Sequence, residues 1–401
     1  MKRVAVLGGG PAGSFAAERL AAAGVNTVVV EERPAWEKPC GGGLTFKAYN
    51  QYPFLIDNNT PKKLVTHTRL SASGAGTANL HLTQPLLIYA RRDLNAMLLE
   101  RAARAGAQIE QTRVLDMERT GGGWRIRTTG GIIDADYSIV ALGVRNSLRA
   151  AGTEWTPGDT MCALGYYVPA RRDHVDIHFL PNLEGYIWVF PRSEHLSVGI
   201  AGKGEPAQAL RRRLERYMQE QGIPLKDALF FGHMLPSLEP GSWRRNRVAG
   251  DGWMAVGDAA GLVDPITGEG IYYAMRSGDL AGSLLASGKH APEECALRYR
   301  EVLHKEFTHD LEFGAGLVQS FYIQYPILGP ISSRMIQFMR HGRQFVAVAR
   351  DLFGGDQPYG GLKKRLVKAG LLSLADLVLP FRAGGSVFRA KPGLGDRRCS
   401  Q

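Results

Sequence analysis

The first thirty residues alternate short apolar runs with a stretch of small residues. Residues 3–6 are largely apolar, residues 14–23 are rich in alanine, and residues 28–30 are three valines followed by Glu31. Short apolar runs are typical of buried strands, and an alanine-rich stretch that ends at Gly24 is typical of a helix. The pattern therefore predicts a strand, helix, strand unit of a parallel, Rossmann-like sheet.

The pattern changes at about residue 161 to alternating, aromatic-rich runs, which are typical of antiparallel strands. We predict strands over 164–168, 175–179, 185–191 and 196–201. Alternate residues of a strand share a face, so the rings of Tyr186, Trp188 and Phe190 are expected on one side of this sheet. They form either a wall for an apolar or polycyclic substrate or an aromatic face packed on the core.

An apolar run followed by a glycine turn and a helix returns at residues 253–286, and the chain after Gly288 has mostly helical spacing. We predict an α/β protein with a Rossmann-like nucleotide-binding domain, an inserted antiparallel β-sheet substrate domain and a helical C-terminal region. The predicted boundaries are 1–160 and 245–290 for the discontinuous nucleotide domain, 161–244 for the substrate domain, 291–380 for the helical region and 381–401 for a flexible basic tail.

The charge narrows the choice of partners. The 401 residues contain 49 Lys and Arg against 38 Asp and Glu, a formal charge of +11, in short clusters without a nucleic-acid-binding motif. Phosphorylated cofactors or an anionic membrane surface therefore suit the chain better than nucleic acid, although a solvated surface with a basic bias explains the charge equally well.

The cysteines and the hydropathy indicate the compartment. The cysteines are scattered without the spacing of a disulfide framework or a metal site, so we expect no bound metal. No run approaches the roughly 18 apolar residues of a spanning helix. We expect a cytoplasmic protein, with peripheral membrane contact and the oligomeric state left open. The four cysteines are Cys40, Cys162, Cys295 and Cys399.

The N-terminal glycine turn carries the clearest chemistry. Gly8 permits the tight turn, Gly10 lets a pyrophosphate approach the main chain at the positive end of a helix, and Gly13 allows the helix to pack closely on the strand. Glu31 ends the second strand, where a carboxylate can accept hydrogen bonds from both ribose hydroxyls. It disfavours a 2′-phosphate, so we predict FAD or NAD rather than NADP.

Two further segments are candidates for contact with a flat ligand. Cys40 precedes three consecutive glycines, which allow the main chain to approach a ring closely. In the second glycine turn, Asp258 can accept a ribityl or ribose hydroxyl, while Gly268 and Gly270 leave N–H donors at a helix start. Arg91, just ahead of another predicted helix, is either a phosphate ligand or a surface arginine.

Four motifs together resemble the geranylgeranyl reductase family, within the FAD proteins of p-hydroxybenzoate hydroxylase-like fold. They are GGGPAG at Gly8–Gly13 with Glu31, KPCGG at Lys38–Gly42, YxWxFP at Tyr186–Pro191, and GDAAGxxxPxxGEGI at Gly257–Ile271. The resemblance covers roughly residues 1–290. The sequence departs from the wider group at residues 142–145 and at Asn95, which argues against an aromatic hydroxylase.

The resemblance implies an FAD site and a substrate site. FAD would be bound by Gly8, Gly10, Pro11, Ala12, Gly13, Glu31, Glu32, Arg33, Cys40, Gly41, Gly42, Arg91, Gly257, Asp258, Pro265, Gly268, Gly270 and Ile271. Tyr186, Trp188 and Phe190 would line a cavity for a hydrophobic or lipid substrate.

The function expected from the resemblance is the saturation of carbon–carbon double bonds in an isoprenoid or polyprenyl lipid. NAD(P)H or another reductant would reduce FAD, and flavin N5 would deliver hydride to one alkene carbon. A nearby acid, for which Cys40 and Tyr186 are the candidates, or an ordered water would protonate the other carbon. The alternative is a flavin-dependent monooxygenase or halogenase acting on an aromatic or polycyclic substrate, for which Lys62 or Lys63 would be the halogenating lysine. A non-catalytic electron-transfer partner would need an iron–sulfur site that the scattered cysteines cannot build.

Overall fold

The structure is a computed structural model of the 401-residue chain. It describes residues 3–145, 148, 151–152, 155–322, 330–355, 358–362 and 364–365. The predicted tail at 381–401 and residues 366–380 of the predicted helical region lie outside the described residues.

The described residues form helices and strands with the following bounds. The strands are β1 Val4–Leu7, β2 Thr27–Val30, β3 Gly43–Leu44, β4 Lys62–Ala72, β5 Gly76–Tyr89, β6 Gln108–Glu110, β7 Val114–Thr120, β8 Gly123–Thr128, β9 Gly131–Ala135, β10 Tyr137–Val140, β11 Thr160–Val168, β12 Val175–Phe179, β13 Glu184–Pro191, β14 Leu196–Lys203, β15 Leu229–Pro236, β16 Ala249–Gly250 and β17 Trp253–Ala255. The helices are α1 Pro11–Ala22, α2 Phe46–Gln51, α3 Arg91–Arg104, α4 Ala207–Glu220, α5 Pro240–Arg245, α6 Ile271–Ala286, α7 Pro292–Leu303, α8 His309–Tyr322, α9 Ile331–His341 and α10 Arg343–Gly354.

The first sheet is the predicted Rossmann-like sheet. Its six strands lie in the order β16, β17, β10, β1, β2, β6, and β1 pairs in parallel with both β2 and β10. Every residue of β1, β2 and β10 is buried, as expected for strands covered on both faces. The carboxyl ends of β1 and β17 therefore place the two glycine turns at one edge of this sheet.

The second sheet has eight strands and contains the predicted antiparallel strands. Its order is β15, β11, β14, β13, β12, β4, β5, β3, and the pair β12–β4 is parallel. Residues 62–89 were assigned to the nucleotide-binding domain in the sequence analysis, whereas they form β4 and β5 of this larger sheet. The second sheet therefore takes strands from two separate parts of the chain.

Helices cover both faces of the second sheet. Helix α4 packs on one face through Leu210 and Leu214, against a core that includes Ile187 and Val189. The opposite face, which carries Trp188, packs against residues of α8, α9 and α10. The described C-terminal helices thus enclose the aromatic side of the sheet. None of the helices in the described ranges is long and apolar enough to cross a bilayer.

Helices α1 and α6 pack so closely that only glycine fits at two positions. A β-carbon placed on Gly278 would lie 2.0 Å from the carbonyl oxygen of Ala12, and one on Gly282 would lie 2.6 Å from that of Ala16. Both distances are far below van der Waals contact. This close packing holds α1, which follows the first glycine turn, against α6, which follows the second glycine turn.

We expect Gly278→Ala to lower the free energy of unfolding by about 1–3 kcal/mol, because the added methyl group forces the two helices apart. Gly316→Ala is the matched control: Gly316 lies in α8 with open space around its Cα, so alanine there should stabilise by about 0.5–1 kcal/mol. Urea denaturation of both variants measures the difference. Equal effects of the two substitutions would contradict the proposed close contact.

Candidate functional site

The first glycine turn forms an open cradle at the start of α1. Gly8 has a φ of +110°, and a β-carbon on Gly13 would lie 1.9 Å from the Gly8 carbonyl oxygen. A β-carbon on Gly10 would meet nothing within 4 Å, and α1 begins with Pro11 and Ala12 without a side-chain cap. Main-chain N–H groups at an uncapped helix start with open space in front of them suit a phosphate.

Glu31 lies at the end of β2 beside this turn. Its carboxylate accepts hydrogen bonds from the N–H of Gly9 at 2.7 Å and from that of Arg33 at 2.8 Å. Each carboxylate oxygen keeps acceptor capacity for a ribose hydroxyl. Glu32 and Arg33 are exposed next to it, and the Arg33 guanidinium lies 4.2 Å from the Trp36 ring centroid.

Arg91 is buried rather than on the surface. It is the first residue of α3, is 4% exposed, and its Nη2 lies 3.3 Å from Oδ1 of Asn95. Its Nε is buried without a hydrogen-bond partner in the described structure. A buried guanidinium N–H left over in this way fits a phosphate oxygen of a bound dinucleotide.

The second glycine turn carries an ion pair that the sequence analysis missed. Asp258, in the turn after β17, accepts a hydrogen bond from Nζ of Lys38 at 2.5 Å. Burial alone would raise the pKa of Asp258, but the Lys38 ammonium outweighs it and lowers this pKa.

The end of the second glycine turn leads into α6. Gly270 forms the N-cap of α6 without a side-chain cap, and Ile271 begins the helix. Gly257 donates its N–H to Oγ of Ser277 at 2.9 Å, and Pro265 is buried in the same turn.

Arg192 binds the Cys40 loop to the end of β13. Its side chain is 1% exposed and pairs with Glu37, while its Nη2 donates to the Cys40 carbonyl oxygen at 2.6 Å. The hydroxyl of Ser197 donates to the same carbonyl oxygen at 2.9 Å. The Cys40 thiol is partly buried, and its Sγ accepts the N–H of Gly42 at 3.3 Å. Cys40 itself is therefore held through its main chain, and none of the described residues accepts its thiol proton.

Glu37 extends this network to α3. Its carboxylate accepts the N–H groups of Arg91 at 3.0 Å and Arg92 at 2.9 Å, so it caps the helix start. Burial would raise the pKa of Glu37, but Arg192 and these hydrogen bonds lower it. Neither Glu37 nor Arg192 was predicted from the sequence. Each is a single charged residue next to a motif, Glu37 just before KPCGG and Arg192 just after YxWxFP, and such a position alone does not indicate a role.

Two of the three predicted rings contact the loops: Phe190 lies against the Cys40 loop, and Tyr186 lies against the second glycine turn. A β-carbon on Gly41 would lie 3.1 Å from the Phe190 ring, and one on Gly43 would lie 2.7 Å from it. The Tyr186 hydroxyl donates to the carbonyl oxygen of Thr267, beside Gly268. Trp188 is 6% exposed and its ring centroid lies 6.4 Å from that of Tyr186. The rings thus join the Cys40 loop and the second glycine turn.

Tyr186 keeps its proton in this setting. Burial raises the pKa of its phenol well above the usual range, with Asp264 adding to the shift. Its hydroxyl hydrogen is also committed to the Thr267 carbonyl. Tyr186 is therefore better suited to orienting a ligand than to giving up a proton.

One acidic residue of the second turn also escaped the sequence analysis. Glu269, between Gly268 and Gly270, accepts a hydrogen bond from the Thr45 hydroxyl at 3.0 Å. It lines a cavity of about 360 Å³ bounded by the second turn and residues of the C-terminal helices. Across the described ranges, no cluster of three or more His, Cys, Asp or Glu side chains has the arrangement of a metal site.

Replacing Arg192 tests the network that holds the Cys40 loop. We expect Arg192→Met to lower the free energy of unfolding by about 3 kcal/mol, because Glu37 and the Cys40 carbonyl lose a buried charged partner. Arg92→Met is the control, since the Arg92 side chain is 66% exposed and should change stability by less than about 0.5 kcal/mol. Thermal unfolding of both variants measures this, and equal stability of the two would contradict the network.

Comparison with known proteins supports an FAD-binding domain in this chain. The profile of the FAD binding domain matches residues 1–165. Two solved structures resemble most of the chain. A geranylgeranyl bacteriochlorophyll reductase-like protein of Thermoplasma acidophilum has a TM-score of 0.73 and 24% identity, and the match covers 92% of this chain and 100% of that one. A flavin-dependent brominase has a TM-score of 0.67 and 18% identity, and the match covers 93% of this chain and 98% of that one. Both likenesses concern the fold alone.

Two relatives are similar in sequence along most of their length. The geranylgeranyl diphosphate reductase of Rhodobacter capsulatus is 30% identical, in an alignment that covers 71% of this chain and 76% of the reductase. The digeranylgeranylglycerophospholipid reductase of Methanothrix thermoacetophila is 34% identical, in an alignment that covers 77% of this chain and 85% of that reductase. Together with the FAD site described above, this similarity means that the chain belongs to the geranylgeranyl reductase family of FAD-dependent oxidoreductases.

Proposed function

We propose that this oxidoreductase saturates carbon–carbon double bonds in the isoprenoid chains of a polyprenyl lipid. The relatives act, by their names, on geranylgeranyl groups. The observation that carries the proposal is the contact of one aromatic face with both cofactor-side loops. Phe190 lies against Gly41 and Gly43, and Tyr186 lies against Gly268. An apolar chain lying along this face would meet the flavin site.

The residues that would hold FAD follow from the geometry of the two turns. Gly10 and the start of α1 would bind the pyrophosphate with Arg91, Glu31 would bind the adenosine ribose, and Asp258 with Lys38 would bind the ribityl chain. When bound and reduced, FAD supplies the hydride that an alkene needs. NAD(P)H is the electron donor that we propose for its reduction.

The aromatic face would exclude water from the reacting bond. Trp188 is buried in a core shared with Phe179, Phe321 and Tyr322. Exclusion of water protects a hydride donor and strengthens the electrostatic interactions of the site. The Cys40 thiol lies on the loop that contacts Phe190, and we assign it to the substrate side of the flavin.

A halogenase function has less support from the side chains. The ammonium of Lys62 donates to the carbonyl oxygen of Asn58 at 2.5 Å, and that of Lys63 donates to the carbonyl oxygen of Arg172. Both amines are thus engaged with main-chain oxygens. Neither has the free amine that a halogenating lysine requires.

The lipid substrate also bears on where the enzyme works. We propose that it acts in the cytoplasm and takes its lipid from a membrane surface that it contacts peripherally. The formal charge of +11 favours attraction to anionic headgroups.

The substrate class can be tested on the FAD-loaded protein. We expect flavin reduced without oxygen to be reoxidised by geranylgeranyl diphosphate or a geranylgeranyl lipid, with product masses higher by two hydrogens per saturated bond. The matched control is the fully saturated phytanyl analogue, which should leave the flavin reduced. Failure of every polyprenyl substrate, together with substrate-free oxygen consumption and a hydroperoxyflavin spectrum, would favour a monooxygenase instead.

Cys40→Ala tests the role of the thiol. We expect it to retain FAD and to slow reoxidation of the reduced flavin by polyprenyl substrate on the order of 100-fold, the usual range for losing a general acid. Cys162→Ala is the control, because Cys162 is also a partly buried free thiol but lies on β11. Full turnover by Cys40→Ala would remove the thiol from the mechanism.

A further inference from the structure

Saturation of a double bond consumes one proton for each hydride, and the site must obtain that proton from solvent. Tyr186 holds its proton against the Thr267 carbonyl. A single thiol at Cys40 would need to be reprotonated after every turnover. The inference below rests on the proposed function and concerns the route by which protons enter.

The cavity beside the second glycine turn offers such a route. Its volume is about 360 Å³, enough for several water molecules, and its lining is rich in ionisable side chains. Glu269 lies on this lining and belongs to the same turn as Gly268 and Gly270. Glu269 therefore faces the cavity and is part of the turn assigned to the flavin.

Thr45 connects Glu269 to β3, the strand that lies against the Phe190 ring. Thr45 is the N-cap residue of α2, yet its hydroxyl makes no cap hydrogen bond and donates to Oε1 of Glu269 at 3.0 Å instead. An N-cap threonine normally accepts a main-chain N–H of its own helix, so this hydroxyl serves a different partner. Thr45 lies two residues after Gly43, which contacts the Phe190 ring.

We propose that Glu269 carries protons from the cavity into the reaction site, with the Thr45 hydroxyl as the next carrier. When Glu269 is protonated, the hydrogen bond to Thr45 reverses: the carboxyl proton passes to the Thr45 oxygen while the Thr45 hydroxyl gives up its own proton toward the substrate side, where it replaces the proton that Cys40 has given to the alkene. At the alkene, one carbon gains the hydride and its electron pair from reduced flavin, and the other gains the proton. The O–H electron pair stays on Glu269, and cavity water returns the proton to the carboxylate.

The charges around Glu269 keep it in a state that can both gain and lose a proton. Burial raises the pKa of Glu269 to about 7; Lys47 opposes the shift and Asp264 adds to it. An acid with a pKa near the working pH is the most effective proton carrier.

The other ionisable groups that line the cavity come from four parts of the chain. Asp264 accepts hydrogen bonds from the N–H groups of Ile266 and Thr267 and from the Tyr359 hydroxyl, and Glu306 pairs with Arg276 at 2.9 Å. The remaining ones are Tyr273 of α6 and His309 and Asp310 of α8.

Two measurements on the FAD-loaded full chain test the proposal. Infrared titration should reveal a carboxyl group in the wild type that ionises near pH 7 and is absent from Glu269→Gln. Stopped-flow reoxidation of the reduced flavin by geranylgeranyl diphosphate should be slowed on the order of 100-fold by Glu269→Gln. Thr45→Val should keep the titrating carboxyl but share the slow reoxidation. Glu184→Gln, which replaces another half-buried glutamate whose pKa burial raises, is the matched control and should react as the wild type does.

The outcomes separate this inference from the proposed function. If wild-type reduced flavin is not reoxidised by any polyprenyl substrate, the proposed function fails, while the infrared titration still decides whether Glu269 exchanges protons near neutral pH. If the wild type reacts and Glu269→Gln reacts equally fast, or if no carboxyl assigned to Glu269 titrates near pH 7, the proton route is overturned. Wild-type rates in Thr45→Val would overturn the step through its hydroxyl.

Discussion

A buried guanidinium joins the two sheets of this protein, and the site depends on it. Arg192 directly follows β13 of the larger sheet, yet its partners, Glu37 and the Cys40 carbonyl, belong to a loop that leaves the Rossmann-like sheet. A charge taken out of water must be paired and hydrogen-bonded, so these contacts fix where the loop lies. Through Glu37 the same network reaches the start of α3 and Arg91. One buried ion pair thus fixes both the start of α3 and the Cys40 loop, which are the phosphate side and the thiol side of the proposed flavin site.

The second constraint is space near the main chain. A β-carbon at Gly13 would lie 1.9 Å from the Gly8 carbonyl oxygen, and one at Gly278 would lie 2.0 Å from that of Ala12. These contacts tie the turn, α1 and α6 into one close-packed unit in which side chains have no room. Much of the high glycine content, 49 residues, can be understood in this way. The FAD cradle is built largely from main-chain N–H groups.

Two glutamates show how environment separates the roles of identical side chains. Glu37 accepts two helix N–H groups and pairs with Arg192, so its pKa is lowered and it stays ionised as a structural anion. Glu269 has a neutral hydroxyl as its hydrogen-bond donor and loses hydration, so burial raises its pKa to about 7. Glu37 forms an ion pair with Arg192, whereas the cation nearest in effect to Glu269, Lys47, acts without forming an ion pair. This difference decides whether the glutamate is a fixed charge or a proton carrier.

The sequence by itself determined the features that depend on neighbouring residues. The two units of strand, glycine turn and helix that begin with β1 and β17 are local patterns. So are the alternation of Tyr186, Trp188 and Phe190 and the FAD-binding motifs. The motif resemblance identified the family from the same segments. Residues 62–89 were placed in the nucleotide-binding domain because they precede residue 160, but position along the chain does not specify which sheet a strand joins.

Only the tertiary structure decided the pairings across the chain. Lys38 is 220 residues from Asp258, and Arg192 is 155 residues from Glu37. A single charged residue in a sequence carries no record of its distant partner. The raised pKa of Glu269 could not be predicted from the sequence either, because it arises from the helices and loops that bury its carboxyl group. Periodicity and motifs record what the main chain does over a few residues, whereas burial and charge pairing depend on contacts that exist only after the chain has folded.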